Sequence, residues 1–371
     1  MPQPKSDWRS LGYLFFWYLL RYTVFVSSIR LLFYGIKNVV FAVPPKPDPV
    51  LKTGIFNKTL SSPVGAVDMF SEQSELTDGL IRLGFSFGEM GPFTKRAEKG
   101  GTAVSYLIGQ HAIAQQNNGL ANAGLEKMRA VFTARRYLPH FIGINITITN
   151  AGMDEEKASF SYRDEFAEMI PMAAPYCDYV ALNFGIPKTG LATQVITDES
   201  LFLNILKDAR ESIRKSAPYH TPALVVKLPL DLSVTEAKWI CAILLRADVD
   251  GIIVAGPQLL SAAWMDKYNL PQNVFRFGLL SGMPVKHRVI ELVSLIYQNT
   301  KGKIPIIGCG GVSSGQDALD LIRAGASLVQ ADTAVLFNGP GAAQRINRDL
   351  AKLIKKQGYA SVSEAVGSNF F

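Results

Sequence analysis

Residues 304–341 read IPIIGCGGVSSGQDALDLIRAGASLVQADTAVLFNGPG. Two short apolar runs, 304–308 and 327–331, have the length of buried strands, and 314–324 between them has a helical pattern. A further helix is expected after Asn338-Gly-Pro-Gly341. This is one βαβ unit with glycines at the tip of its first strand. Gly308, Gly310 and Gly311 let backbone N–H groups turn inward with no Cβ in the way, and the following helix is expected to offer its positive end. Such a tip suits a phosphate, which in a parallel barrel commonly sits after strands seven and eight. Glycines here also serve tight turns alone, and the paired second strand with Asp332, Thr333 and the Asn338-Gly339-Pro340 turn is what favours a ligand.

Outward from this unit, strand-like runs recur at 64–67, 85–90, 141–146, 179–184, 223–228 and 251–255, with helical patterns at 72–83, 164–172, 200–216 and 235–245. Eight strands alternating with helices specify an α/β fold, a (β/α)8 TIM barrel. It is assigned to residues 54–371. Before it, 43–53 is a proline-rich linker, where Pro44, Pro45, Pro47 and Pro49 exclude a helix.

Residues 1–42 read as a hydrophobic helical extension that associates with membrane lipid. From 11 to 36 the only charges are Arg21 and Arg30. The segment is too long and aromatic for a signal peptide. A single span would place Arg21 near the bilayer centre at a cost of about 3 kcal/mol. On one surface-lying helix, nine residues at about 100° each put the two arginines on opposite faces. Two shorter helices dipping into one leaflet, with Trp17, Tyr18 and Tyr22 at headgroup depth, reconcile both facts.

The net charge of +7 over 371 residues is dispersed, so no nucleic-acid partner is expected; anionic lipid or small acidic ligands fit better. Cys177, Cys241 and Cys309 are far apart and in apolar contexts, which supports neither a disulfide framework nor a metal site.

In this fold the active site lies at the C-terminal ends of the strands. Strand three ends with Asn145, strand four with Asn183 and strand five with Lys227. Singly, each asparagine reads as a turn residue and Lys227 as a solvated rim charge. Together with a phosphate cradle they suit a phosphorylated heteroaromatic ligand such as flavin mononucleotide (FMN), whose reduced ring a lysine near N1 would stabilise.

Further motifs join these: Ser62-Pro-Val-Gly65, Asp78-Gly79-Leu80 before Leu83-Gly84-Phe85, Asn183 with Pro187, Val226-Lys227, Asp250-Gly251 and Leu280-Ser-Gly-Met-Pro284. With the apolar opening segment, they make the chain resemble the class 2, membrane-associated dihydroorotate dehydrogenases, from about residue 54 to 367. The resemblance implies FMN as cofactor, oxidation of dihydroorotate to orotate in pyrimidine biosynthesis, and a quinone acceptor entering through paired N-terminal helices. It implies a place on an inner or cytoplasmic membrane, with the barrel on the cytoplasmic or matrix side. Carried over by position, it assigns FMN contacts to Asn145, Asn183, Lys227, Ser281, Gly282, Gly310, Gly311 and Thr333, and to Asp332, which stands where the family has tyrosine. Asp68 and Met69 replace a small Ala-Gly pair, and Pro92 replaces a threonine.

The substrate side departs from the family. Ile186 stands at the position of the serine base and cannot accept a proton. Lys188 replaces a substrate-binding asparagine, and Glu72 replaces a lysine. Ala255-Gly256-Pro257 replaces Thr-Asn-Thr, and Gly119-Leu-Ala-Asn122 has lost one amide of Gly-Phe-Asn-Asn. Each lost hydrogen bond is worth about 1 kcal/mol. Lys188 and Glu72 are the remaining candidates for acid/base work, and Asn122 and Lys188 for holding a small-molecule substrate. Three readings stay open: dihydroorotate oxidation with its base elsewhere, a flavin oxidoreductase for a less polar substrate, and a non-catalytic membrane-bound relative serving as scaffold or flavin-dependent sensor.

Overall fold

Eight runs rich in valine, isoleucine and alanine close into a parallel barrel: β1 (Val64–Asp68), β2 (Phe87–Phe93), β3 (Phe141–Ile146), β4 (Tyr179–Asn183), β5 (Ala223–Leu228), β6 (Gly251–Ala255), β7 (Ile306–Cys309) and β8 (Leu328–Ala331). They follow one another around the barrel in chain order, with β8 pairing β1 through Val329 opposite Val64. The computed structural model describes residues 34–37, 46–68, 74–98, 105–108, 112–115, 121–135, 140–148, 155–185, 195–270 and 278–370.

The strands read as continuous apolar runs because they are covered on both faces; β4, β5 and β6 are buried throughout. The expected bounds move most in β2, which was placed at 85–90. A register shift between Met90 and Phe93 carries the ladder past Gly91-Pro92, where proline has no N–H to give.

Around the barrel lie α1 (Thr77–Arg82), α2 (Leu125–Arg135), α3 (Glu155–Ala173), α4 (Glu199–Ser216), α5 (Val234–Arg246), α6 (Ala262–Lys267), α7 (Lys286–Thr300), α8 (Gly315–Arg323), the six-residue α9 (Thr333–Asn338) and α10 (Ala342–Lys356). Of the helix expected over 72–83, residues 77–82 are helical, and 71–73 lie outside the described residues. Helix α3 starts nine residues before the expected position 164, at Glu155. Helix α7 buries Val289, Leu292, Val293 and Ile296, a helical spacing that was open to reading but was not assigned. Capping explains several starts: Ser233 and Glu236 form a reciprocal capping box at α5, and Asp198 caps α4.

The barrel floor is a hairpin, Thr53–Ile55 against Lys58–Leu60. Its Ile55, Phe56 and Leu60 pack with Phe87, Phe141 and Tyr179 in a core separate from the one under the helices. At the other end, segments inserted after β2 and β6 pair into a four-stranded antiparallel sheet. Its strands are Gln258–Leu259, Leu279–Gly282, Ala112–Gln115 and Ser105–Ile108, in that order.

Most of the 1–42 extension lies outside the described residues, Arg21 and Arg30 included. Of its described residues 34–37, Ile36 is buried against α1, where a Cβ on Gly79 would stand 2.3 Å from the Ile36 carbonyl oxygen. Lys37 beside it pairs with Glu75. No helix among the described residues is long and apolar enough to cross a membrane.

All three cysteines are free and buried. Burial pushes the Cys241 thiol up to about 11 and the Cys309 thiol up to about 12, and Cys177 is raised as well. The thiolate is the reactive species. Iodoacetamide at neutral pH is therefore expected to label native protein far more slowly than denatured protein, as mass spectrometry would read; rapid native labelling at Cys309 would contradict its placement inside the barrel.

Candidate active site

A carboxylate in the middle of an apolar strand organises the barrel interior. Glu89, on β2, is fully buried. It accepts from Lys227 Nζ of β5 (2.6 Å), Asn145 Nδ2 of β3 (2.9 Å), Tyr179 Oη of β4 (2.9 Å) and Gln330 Nε2 of β8 (3.1 Å). Gln330 also donates to Tyr179 Oη at 3.1 Å. Five strands are thus joined through one side chain. Burial pushes the Glu89 carboxyl up, but the Lys227 charge and the donated hydrogen bonds outweigh it and hold Glu89 below the usual carboxylate range. Burial likewise pulls the Lys227 ammonium down, and Glu89 more than restores it. Each charge keeps the other ionised.

Toward the mouth, valences remain. Asn145 Oδ1 is buried and has no hydrogen-bond partner among the described residues, and Lys227 has Glu89 as its acceptor with further N–H donors left over. Asn183, at the tip of β4, accepts the Gly185 N–H at 2.7 Å; a Cβ on Gly185 would meet both Asn183 Oδ1 (3.0 Å) and Lys227 Cγ (3.4 Å). Asp332 follows β8 and is electrostatically coupled to Lys227. Gly310 and Gly311 follow β7 with φ of 126° and 72°. A Cβ on Gly311 would stand 2.5 Å from Lys286 Cβ at the start of α7, so the loop needs glycine to lie there. The N–H groups of Gly310 and Gly311 have no acceptor among the described residues. Ser281 and Gly282 approach from the rim sheet, opposite Ile113 and Ala112.

A model of the family described as dihydroorotate dehydrogenase matches residues 50–354. The chain belongs to that family. It is 32% identical over 324 residues to the dihydroorotate dehydrogenase (quinone) of Rhodospirillum rubrum, covering 87% of this chain and 84% of the relative. It is 29% identical to the mitochondrial dihydroorotate dehydrogenase (quinone) of Mus musculus, covering 86% and 80%. These quinone-type relatives place it in the class 2 branch, as an oxidoreductase. The ligand-free dihydroorotate dehydrogenase structure from Eimeria tenella superposes with a TM-score of 0.81 at 24% identity, covering 92% of this chain and 98% of that one. That likeness bears on the fold alone.

The residues of this family member fit FMN. The unpartnered Asn145 oxygen can accept from an N3–H, spare Lys227 donors can serve the neighbouring N1 and O2 acceptors, and the two glycines open backbone donors where a phosphate sits in such barrels. One expectation is corrected. The helix after the glycines, α8, does not offer a free positive end: Ser314 Oγ accepts the Asp317 N–H (3.2 Å), and Asp317 Oδ2 accepts from Ser313 N (3.1 Å) and Ser314 Oγ (2.7 Å). Helix α7, beside Gly311, starts without such a cap, its N-cap Val285 bringing no side-chain acceptor, and so does α10 at Gly341.

On the substrate side, Glu72, Ile186 and Lys188 lie outside the described residues. Asn122 is buried, and its Oδ1 is committed to Thr94 N, Thr94 Oγ1 and Gly124 N (3.2, 3.1 and 2.9 Å), which fixes a turn. At the tip of β6, Ala255-Gly256-Pro257 brings no polar side chain, and the Gly256 N–H is spent on the Cys309 carbonyl. Glu89, Tyr179 and Gln330 were not foreseen. The signal for Glu89 was its place in Phe87-Gly-Glu-Met90, since a charge in a doubly buried strand requires a partner.

Proposed function

We propose that this protein is an FMN-dependent oxidoreductase that delivers electrons to a quinone, working at the C-terminal mouth of its barrel and held at a membrane by residues 1–42. The observation that carries this reading is Lys227, a buried ammonium 2.6 Å from Glu89 with donors remaining. FMN, when bound, supplies the hydride acceptor and the carrier of electrons onward. Lys227 holds positive charge where the reduced ring becomes negative. Asn145 orients the ring edge, Asn183 closes the tip of β4 through Gly185, and Gly310 and Gly311 receive the phosphate. Ser281 and Gly282 bound the site from the rim.

The relatives' names favour dihydroorotate as the reductant. A second reading, a less polar reductant, is favoured by the apolar tip of β6 and by Ile186 at the base position. In either case the proton-transfer and substrate-orienting roles fall to Lys188 and Glu72, while Asn122 holds a turn.

Anaerobic titration of the detergent-purified, flavin-loaded protein with dihydroorotate decides between them. Bleaching of the flavin band, reversed by a soluble quinone, supports the first reading. A fully loaded flavin that stays oxidised under dihydroorotate but is bleached by another donor supports the second. Loaded flavin that no donor reduces marks a sensor or scaffold, and a protein that takes up no flavin overturns the proposal. Ile186→Ser is expected to raise the rate of flavin reduction by dihydroorotate about 10²-fold or more, the usual range for a positioned proton acceptor.

A further inference from the structure

Both residues assigned to the flavin ring edge are held by the same carboxylate. Glu89 Oε1 accepts from Lys227 Nζ (2.6 Å) and from Asn145 Nδ2 (2.9 Å), while Oε2 accepts from Tyr179 Oη (2.9 Å) and Gln330 Nε2 (3.1 Å). Giving its amide N–H to Glu89 turns Asn145 so that its oxygen is the atom left over, buried and without a hydrogen-bond partner among the described residues. A buried ion pair is poor evidence for stability, since apolar residues of similar volume often hold a core as well. A carboxylate that takes donors from four other strands is better explained by what it orients.

Glu89 also governs whether Lys227 carries its proton. Burial disfavours the ammonium, and Glu89 opposes burial through both its charge and its hydrogen bond. The other titratable neighbours cannot stand in for it. Tyr179 on β4 keeps its proton, because burial and Glu89 raise it well above its ordinary value. Cys309 on β7 would help only as a thiolate, and it is pushed up to about 12. Asp332, after β8, acts on Lys227 more weakly than either effect of Glu89.

We propose that Glu89 is a positioning residue for flavin reduction: it aims Lys227 and Asn145 at the ring and keeps the ammonium charged in both redox states. This rests on the flavin reading above. The oxidised ring then takes two electrons and one proton, and the negative charge it acquires meets an ammonium already in place. With Glu89→Gln, Lys227 is neutral before reduction over much of the neutral range, and the negative ring draws a second proton, onto Lys227 or onto the ring itself.

The test measures the two-electron midpoint potential of the FMN-loaded, full-length protein in detergent against pH, from about 6.5 to 8.5, for wild type, Glu89→Gln and Glu89→Asp. Each proton taken up shifts the equilibrium tenfold per pH unit, about 30 mV for two electrons. Wild type and Glu89→Asp, which keeps the charge, are expected to shift tenfold per pH unit. Glu89→Gln is expected to shift hundredfold, about 59 mV, returning to tenfold at the acid end where Lys227 is protonated before reduction. A purely structural role would lower flavin occupancy and leave the slope of the bound flavin unchanged. A hundredfold slope in wild type, or equal slopes in wild type and Glu89→Gln, overturns the proposal while leaving the flavin site standing. If Glu89→Gln does not fold or hold flavin, the other two proteins decide: a tenfold slope in both upholds the proposal, and a hundredfold slope in either overturns it. If wild type takes up no flavin, the flavin reading fails and the proposal fails with it.

Discussion

Lys227→Met is expected to cost about 3–5 kcal/mol of stability, because it leaves Glu89 charged, buried and without its counter-charge. The other three donors, Asn145, Tyr179 and Gln330, carry no net charge and cannot replace an ammonium 2.6 Å away. Denaturant unfolding at neutral pH would read the loss. The pH dependence identifies its cause. In the wild type Glu89 lies below its ordinary 4.5, so it stabilises the fold above that value and loses the contribution as pH falls through its lowered one. In the variant, burial, the largest influence on Glu89, is opposed by neutral hydrogen bonds alone and raises Glu89 instead, so protonation relieves the strain and the deficit shrinks as pH falls. A deficit independent of pH would show that lost packing, not the stranded charge, is responsible. Lys227→Met with Glu89→Met is expected to recover most of the stability and none of the flavin binding, which separates the structural from the cofactor role of Lys227.

Gly143→Ala is expected to destabilise the barrel by about 3 kcal/mol, at the upper end of overpacking costs. A Cβ there would stand 1.9 Å from Tyr179 Cζ and 2.2 Å from its Cε2. Tyr179 cannot swing aside. Its hydroxyl is held by Glu89 and Gln330, and its ring lies 5.9 Å from that of Phe141 and 6.0 Å from that of Phe56. Displacing the ring also removes a donor from Glu89, so the damage reaches the mouth as weaker flavin retention. Adding Tyr179→Leu is expected to restore part of the stability; if it restores none, the clash is not the cause.

The eight strands were legible because most of their residues are apolar and turn residues bound them, a pattern that needs no partner to be recognised. Asn145, Asn183 and Lys227 were legible because strand ends in this architecture have a known orientation. The rim sheet was not. Its strands are two to four residues long, and Ser281 pairs with Ile113 across a large separation in sequence, so no local periodicity announces it. The Glu89 cluster escaped for a similar reason, since its members come from five strands and only the isolated carboxylate was visible. The positive end expected after Gly311 is not free because Ser314 and Asp317 cap it, and in sequence a serine and an aspartate there look like any polar members of the helix.

That rim sheet bears on how the molecule assembles. Seven of the barrel's eight pairings join strands consecutive in the chain, but the eighth, β8 to β1, waits for the last strand. The sheet over the mouth joins a segment following β2 to one following β6, so both of its partners precede β8. Contacts between distant segments carry the greater loop-closure cost. The seating of Ser281 and Gly282 and the closure of the barrel thus each depend on a pairing between distant parts of the chain, and a ligand held between them is expected to be released when either one opens.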